Sequence, residues 1–193
     1  DNFEQALIDL GYDDVLDDYV VTDSINSVTY LNVYNDSISD LTGIEAFTAL
    51  DTLVCGFNQL TELDVSNNTA LTQMSIGGNQ LTSLDVSNNT ALTYLDCHLN
   101  QITSLDLSSN TALTSLSCRH NALTELDVSS NTALTLLNGY GNQLTSLDLS
   151  NNTALTYLTC NNNQLTYLNM KNGVTDALTT FNATNNDSLE CIE

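Results

Sequence analysis

Residues 92–112 read LTYLDCHLNQITSLDLSSNTA, and closely similar segments fill most of the chain. The regular copies follow one another at a constant step of 21 residues and begin at Leu71, Leu92, Leu113, Leu134 and Leu155. Three less regular copies begin at Val28, Leu50 and Leu178. A fixed period of this length predicts a solenoid, in which each repeat forms one coil that packs against its neighbours.

The repeats also carry a recognisable motif. Residues 92–100 and 155–163 both follow the pattern L-x-x-L-x-C-x-x-N, which resembles the signature of leucine-rich repeats. The 21-residue form is similar to repeats of secreted bacterial surface proteins, especially those of the Bacteroidetes lineage. Residues 38–50, with an apolar residue at every third position, resemble the 3₁₀-like convex segment of internalin-like repeats. The resemblance implies a right-handed superhelix, a secreted or cell-surface location and a binding role.

Each repeat divides into two similar halves, because residues 81–89 follow nearly the same pattern as residues 92–100. In both halves apolar and polar residues alternate, which is typical of a half-buried strand. The sequence therefore predicts a β-rich (α/β-type) solenoid with two parallel sheets around a shared core. The predicted inward columns are Met74, Leu95, Leu116, Leu137 and Leu158 in the first sheet, and Val65, Val86, Leu107, Val128 and Leu149 in the second.

The two ends depart from the repeat and are expected to cap the open core. Residues 1–27 are predicted to form an N-terminal cap, with a helix up to about residue 11 between an Asn2 cap and a Gly11 stop, followed by an acidic loop. Residues 28–170 form the repeats. Residues 171–193 form the last coil and a C-terminal cap, whose relatives run on into further sequence.

Recurrent polar and cysteine positions are interpreted as structural. Side-chain amides can satisfy the backbone groups of buried turns. Two such ladders are predicted, at Asn79, Asn100, Asn121, Asn142 and Asn163, and at Asn68, Asn89, Asn110, Asn131 and Asn152. Cys55, Cys97, Cys118 and Cys160 share one inward column, so we interpret them as core thiols, with a Cys97–Cys118 disulfide left open.

Composition excludes several classes of function. The chain has 193 residues, with 24 Asp and Glu against 2 Lys and Arg, and a formal net charge of -22. Such a chain cannot neutralise nucleic-acid phosphates or an anionic membrane surface, and it has no apolar run long enough for membrane insertion. No catalytic constellation or cofactor fingerprint is present, so we predict neither an enzyme nor a required cofactor. The oligomeric state stays open.

The outward positions of the first predicted sheet change from coil to coil, whereas Asp and Ser recur almost unchanged on the second. Tyr and Arg, which favour interfaces, occur among the variable positions. We therefore predict that this surface binds a protein or a polysaccharide. The predicted ligand-binding residues are Phe57, Tyr94, Asp96, His98, Arg119, His120, Asn138, Tyr140, Tyr157, Thr159 and Asn161.

Three metal hypotheses remain open beside this prediction. The first is a row of weak calcium sites along Asp64, Asp85, Asp106, Asp127 and Asp148, with hydrogen bonds from Ser and backbone as the alternative explanation of that column. The second is a calcium loop at Asp13, Asp14, Asp17 and Asp18. The third is a metal held by His98, His120 and Asp96.

Two further functional alternatives are a structural spacer or adhesin stalk and an ice-binding surface. The second rests on regular Thr columns, one of which runs through positions 72, 93, 114, 135 and 156. Their position beside the corner leucines favours a role in the turns instead.

Overall fold

The computed structural model describes residues 2–173 and 177–192, and the fold is built from many short strands. The helical segments are α1 (Asn2–Asp9), a 3₁₀ turn (Ile44–Ala46) and the four-residue helix α2 (Thr22–Ile25). The strands are β1 (Tyr30–Asn32), β2 (Thr52–Val54), β3 (Gln73–Ser75), β4 (Tyr94–Asp96), β5 (Ser115–Ser117), β6 (Leu136–Asn138), β7 (Ser146–Asp148), β8 (Tyr157–Thr159), β9 (Tyr167–Asn169), β10 (Thr180–Asn182) and β11 (Cys191–Ile192).

The main sheet is parallel and contains eight strands in the order β1-β2-β3-β4-β5-β6-β8-β10. The register is constant, so that Met74 pairs with Leu95 and Leu95 pairs with Leu116. Each strand contributes one central side chain to the interior, and these are fully buried from Leu31 to Leu158. At β10 the equivalent residue, Phe181, is 46% exposed. The predicted first inward column is confirmed.

The second sheet is shorter than predicted. Its three strands are β7, β9 and β11, in the order β11-β9-β7, and all pairs are parallel. Over the earlier coils the same side of the solenoid is irregular chain rather than strand. Its apolar column is nevertheless buried, with Val65, Val86 and Leu107 each 1% exposed. Burial of that column therefore does not require a continuous sheet.

The N-terminal helix packs on the first coils. Phe3 and Leu7 are buried, and the Phe3 and Phe47 rings lie 6.4 Å apart. Tyr12 N–H donates to the carbonyl oxygen of Leu7 at 2.9 Å, and Gly11 has φ +80°, which together form a helix-ending Schellman turn. The predicted glycine stop is confirmed. Asp1, residues 174–176 and Glu193 lie outside the described residues, and the division into cap, repeats and cap stays a prediction.

The asparagine ladders connect successive coils. In the first ladder, Asn79 Nδ2 donates to the carbonyl oxygens of Cys55 and Ile76 at 3.1 and 3.0 Å, while its Oδ1 accepts Leu60 N–H. In the second, Asn89 Nδ2 donates to the carbonyl oxygens of Val65 and Asn68, both at 3.0 Å. Both ladders are therefore structural, as predicted, and the first continues to Asn58 and Asn186.

Candidate binding face

The outward side chains of the main sheet, with the residues of the loop that follows each strand, form one surface, the variable face. It contains every predicted ligand-binding residue. Tyr94 and Asp96 lie on β4, Asn138 on β6, and Tyr157 and Thr159 on β8. The loops after the strands carry the others, which are Phe57, His98, Arg119, His120, Tyr140 and Asn161.

Polar contacts fix several of these side chains. His98 Nδ1 lies 2.8 Å from Asp96 Oδ1, and Thr159 Oγ1 donates to Asn138 Oδ1 at 2.8 Å. Burial, and secondarily the charge of Asp96, raise the pKa of Tyr94. The Tyr94 hydroxyl is therefore neutral at physiological pH and can both donate and accept a hydrogen bond. The variable face offers positioned polar groups as well as rings.

A second feature, the apolar ridge, runs along the loops at one edge of the variable face. We define it by Tyr34, Phe57, His98, Leu99, His120 and Tyr140. Ring centroids lie 5.4 Å apart for Tyr34 and Phe57, 5.9 Å for Phe57 and His98, and 4.5 Å for His120 and Tyr140. The predicted ligand-binding residues do not include Tyr34, which is 51% exposed, or Leu99, which is 42% exposed. Tyr34 could have been recognised from the sequence, because it occupies the same position of its repeat as His98 and Tyr140.

The ridge geometry bears on the proposed histidine metal site. His98 pairs with Asp96, whereas His120 packs its ring on Tyr140. Among residues 2–173 and 177–192, no three His, Cys, Asp or Glu side chains are grouped in a way that could hold a metal ion. The two imidazoles thus contact different partners, Asp96 on β4 and Tyr140 on the ridge.

The aspartate column lies on the opposite side of the solenoid. Each of its carboxylates accepts the backbone N–H of the Ser two residues later at 2.9 Å, as in Ser87 to Asp85. The Ser87 hydroxyl and backbone N–H lower the pKa of Asp85, although the charges of Asp106 and Asp64 act in the opposite direction. These hydrogen bonds therefore outweigh the repulsion between neighbouring carboxylates.

The acidic N-terminal loop is tied to α1. The side chain of Glu4 is buried, and its Oε1 accepts the N–H groups of Asp17 and Tyr19 at 2.8 and 3.3 Å. Asp13 Oδ1 accepts Asp14 N–H, and Asp17 Oδ1 accepts Tyr19 N–H. Asp13 and Asp17 thus accept hydrogen bonds from the backbone of their own loop.

The outer Thr column forms a ladder of its own. Thr93 Oγ1 donates to the carbonyl oxygen of Thr72 at 3.1 Å, and Thr114 Oγ1 donates to that of Thr93 at 2.9 Å. The same contact recurs at Thr135, Thr156 and Thr179. These hydroxyls satisfy backbone carbonyls between coils, which supports the turn interpretation over a regular array facing ice.

No family model matches the chain. A segment of 52 residues is 42% identical to internalin J of Listeria monocytogenes and makes up 27% of this chain and 6% of that protein. A leucine-rich repeat protein of Leptospira interrogans superposes with a TM-score of 0.76 at 23% identity, over 90% of this chain and 47% of that one. The fold is a leucine-rich repeat solenoid.

Internalin C2 of Listeria monocytogenes gives a TM-score of 0.68 at 19% identity, and the match covers 94% of this chain and 91% of that one. Within this fold, the variable face is the outward side of the eight-stranded parallel sheet together with the loops that follow its strands. In the part of the chain that the structure describes, no helix is both long and apolar enough to cross a membrane.

Proposed function

We propose that this chain is a non-catalytic recognition module that binds a protein partner through the variable face. A polysaccharide ligand is the alternative, since tyrosine rings can stack on sugars and amides can bond their hydroxyls. Leucine-rich repeat solenoids commonly use their extended sheet surface for protein binding.

The contrast between the two sides of the solenoid carries this proposal. On the aspartate side, the recurring Asp and Ser are explained by one turn that repeats in every coil. On the variable face, the outward residues of successive strands begin with Gln73, Tyr94, Ser115, Leu136 and Tyr157 on one invariant backbone. A surface whose side chains differ while its backbone stays fixed is suited to encode a ligand.

We also propose that the module belongs to a bacterial protein and acts outside the cell, either secreted or at the cell surface. The resemblance of its repeats to those of secreted bacterial proteins supports this location, and so does the segment shared with internalin J. Immunoblotting of culture medium, washed cells and protease-shaved cells of the producing organism tests it. Protein found only inside intact cells contradicts it.

Removal of two tyrosines tests the binding proposal. We expect the double variant Tyr94→Ala, Tyr157→Ala to lose at least tenfold in affinity for ligands that wild type selects from protein and glycan arrays, because tyrosine is a frequent interface anchor. Tyr19→Ala is the matched control, since Tyr19 is 73% exposed and lies in the N-terminal loop. It should keep wild-type affinity.

A spacer or stalk makes the opposite prediction. If no arrayed molecule binds the wild-type chain more tightly than it binds the double variant, the variable face has no recognition role. Selection of glycans alone, with loss of binding in the double variant, would establish the polysaccharide alternative. Circular dichroism of each variant verifies that the solenoid is intact.

A further inference from the structure

One backbone position in every coil adopts the left-handed conformation. This position is the third residue after the end of each main-sheet strand. From Asn35 to Asn162 its N–H donates to a carbonyl of the next coil, as Leu99 does to Arg119 at 2.9 Å. The residues and φ values are Asn35 (62°), Phe57 (55°), Gly78 (72°), Leu99 (51°), His120 (54°), Gly141 (69°), Asn162 (55°) and Asn185 (55°).

Glycine and asparagine are the residues that tolerate this conformation, and they occupy five of the eight positions. Phe57, Leu99 and His120 occupy the other three, although a large side chain is strained there. Phe57 and Leu99 are 43% and 42% exposed, so that nearly half of each side chain lies outside the packed interior. Strained, exposed apolar residues at a position where the chain elsewhere uses Gly or Asn indicate a function.

Glycines make room for the ridge side chains. A Cβ on Gly78 would lie 3.0 Å from the Phe57 ring, and a Cβ on Gly141 would lie 2.9 Å from Nδ1 of His120. A Cβ on Gly77 would collide with the imidazole of His98. Because Gly77 and Gly78 together lack side chains, Phe57 and His98 meet across an entire coil. The rings of the ridge therefore pack directly against the backbone at glycine positions.

The apolar ridge combines exposed carbon surface with the polar atoms of its two tyrosines and two histidines. The flanking amides of Asn58 and Asn100 are used by backbone groups of the turns, and His98 Nδ1 is used by Asp96. Phe57 and Leu99 have no polar side-chain atoms. These two exposed side chains suit contact with an apolar side chain of a protein better than contact with a sugar, whose hydroxyls need hydrogen-bond partners.

Charge restricts the partner further. The chain carries 24 acidic and 2 basic side chains, so a partner segment that bears Lys or Arg is attracted and an acidic one is repelled. We propose that the apolar ridge is the anchor site for an apolar side chain within a cationic segment of a protein partner. This proposal rests on the function proposed above and names the class of partner and the residues that hold it.

The first test needs no ligand. Leu99→Asn places at Leu99 the residue that the chain itself uses at Asn35, Asn162 and Asn185, and it relieves the backbone strain. The change in thermal midpoint relative to wild type is measured for Leu99→Asn and for the matched control Leu16→Asn. If Leu99 is retained for binding, the change for Leu99→Asn is more positive than that for Leu16→Asn by roughly 2–4 °C. Leu16 is 54% exposed and has an ordinary backbone conformation. A midpoint for Leu99→Asn below that of Leu16→Asn would assign Leu99 to packing and overturn the proposal.

The second test uses a phage-displayed library of random 12-residue peptides selected on the immobilised wild-type chain at low salt. We expect enriched peptides to combine Lys or Arg with Leu, Phe or Trp. Their affinity should fall at least tenfold for Leu99→Asn and for Phe57→Asn, and should be unchanged for Leu16→Asn. Enrichment of acidic peptides, or no enrichment at all, overturns the proposal.

The two proposals fail in different ways. Selected peptides that lose affinity for Tyr94→Ala, Tyr157→Ala but bind Leu99→Asn as they bind wild type support the variable face and overturn the ridge. Peptides that respond to Leu99→Asn alone support the ridge and contradict recognition by the strand residues. Glycans that bind wild type and not Leu99→Asn place a ligand on the ridge but overturn the protein class.

Discussion

The side-chain amide of Asn110 joins its own coil to that of Val86, because Asn110 Nδ2 donates to the Val86 carbonyl oxygen at 3.0 Å. A second bond runs from the same nitrogen to the carbonyl oxygen of Asn89 at 2.9 Å. Asn110 is fully buried, and its Oδ1 has no hydrogen-bond partner among the described residues. The amide nitrogen of Asn110, rather than its oxygen, therefore makes the hydrogen bonds that stabilise the turn.

Replacement of this amide should destabilise the solenoid. In Asn110→Ala, two buried carbonyl oxygens lose their donor, which costs about 2 kcal/mol. We expect the thermal midpoint to fall by roughly 4–8 °C in a chain of this length. Asn67→Ala, at an exposed position of an earlier coil, is the control and should change the midpoint by less than about 2 °C. Equal midpoints for the two variants would contradict the structural role of the ladder.

The aspartate column predicts a stability loss in acid. Hydrogen bonds from Ser hydroxyls and backbone lower the pKa of Asp64, Asp85 and Asp127 in the folded chain. Their stabilisation is therefore complete above the ordinary Asp pKa of about 3.9 and is lost as the pH falls through the lower folded-state pKa. We expect the thermal midpoint of wild type to fall in this window.

A fivefold Asp→Asn variant of the column isolates this effect, because Asn keeps an acceptor for the Ser N–H but does not titrate. Its thermal midpoint should decline less between pH 5 and pH 2.5 than that of wild type, while the other carboxylates titrate equally in both. Parallel curves for the two proteins would show that the column does not contribute.

Calcium should not stabilise the column. Each of its carboxylates already accepts the Ser N–H, and no three acidic, His or Cys side chains gather around one point in the described residues. We expect thermal midpoints in 5 mM calcium chloride and in sodium chloride of equal ionic strength to agree within about 1 °C, since a ligand stabilises only the state that it binds. A rise of several degrees in calcium chloride but not in sodium chloride would support calcium binding by the column.

The core thiols should resist alkylation. Burial raises the pKa of Cys55 and Cys118 to about 12, so almost no thiolate exists at pH 8. Iodoacetamide followed by peptide mapping should find both residues unmodified in the native chain and modified in urea. Modification of Cys55 or Cys118 within minutes under native conditions contradicts the buried column.

Periodicity alone predicts much of this fold. The step from Leu71 to Leu92 determines the coil length, and the alternation around Leu95 determines which side chains point inward. The extent of the second sheet was not predictable in this way. Asp85-Val86-Ser87 and Asp148-Leu149-Ser150 follow the same pattern, yet among residues 2–173 and 177–192 strand pairing on that side involves only β7, β9 and β11.

The candidate site was predictable in its location and less so in its contacts. Variation among Tyr94, Ser115 and Tyr157 identifies the surface from sequence alone. The contact of Phe57 with His98 requires two residues from coils that are not adjacent, and it exists because a third coil contributes Gly77 and Gly78 between them. Comparison of repeats one by one detects substitutions, but such a contact depends on three repeats at once.

Gly77 and Gly78 make the contact between Phe57 and His98 depend on the order of three successive coils. Most coils share one backbone and one set of ladders, so that duplication of a coil would lengthen the sheet by about 4.8 Å and preserve the packing on both sides. A coil inserted between those of Phe57 and His98 would instead move the two rings apart and abolish their contact. Duplication of a coil elsewhere would therefore leave the contact between Phe57 and His98 unchanged, whereas an insertion between their coils would break it.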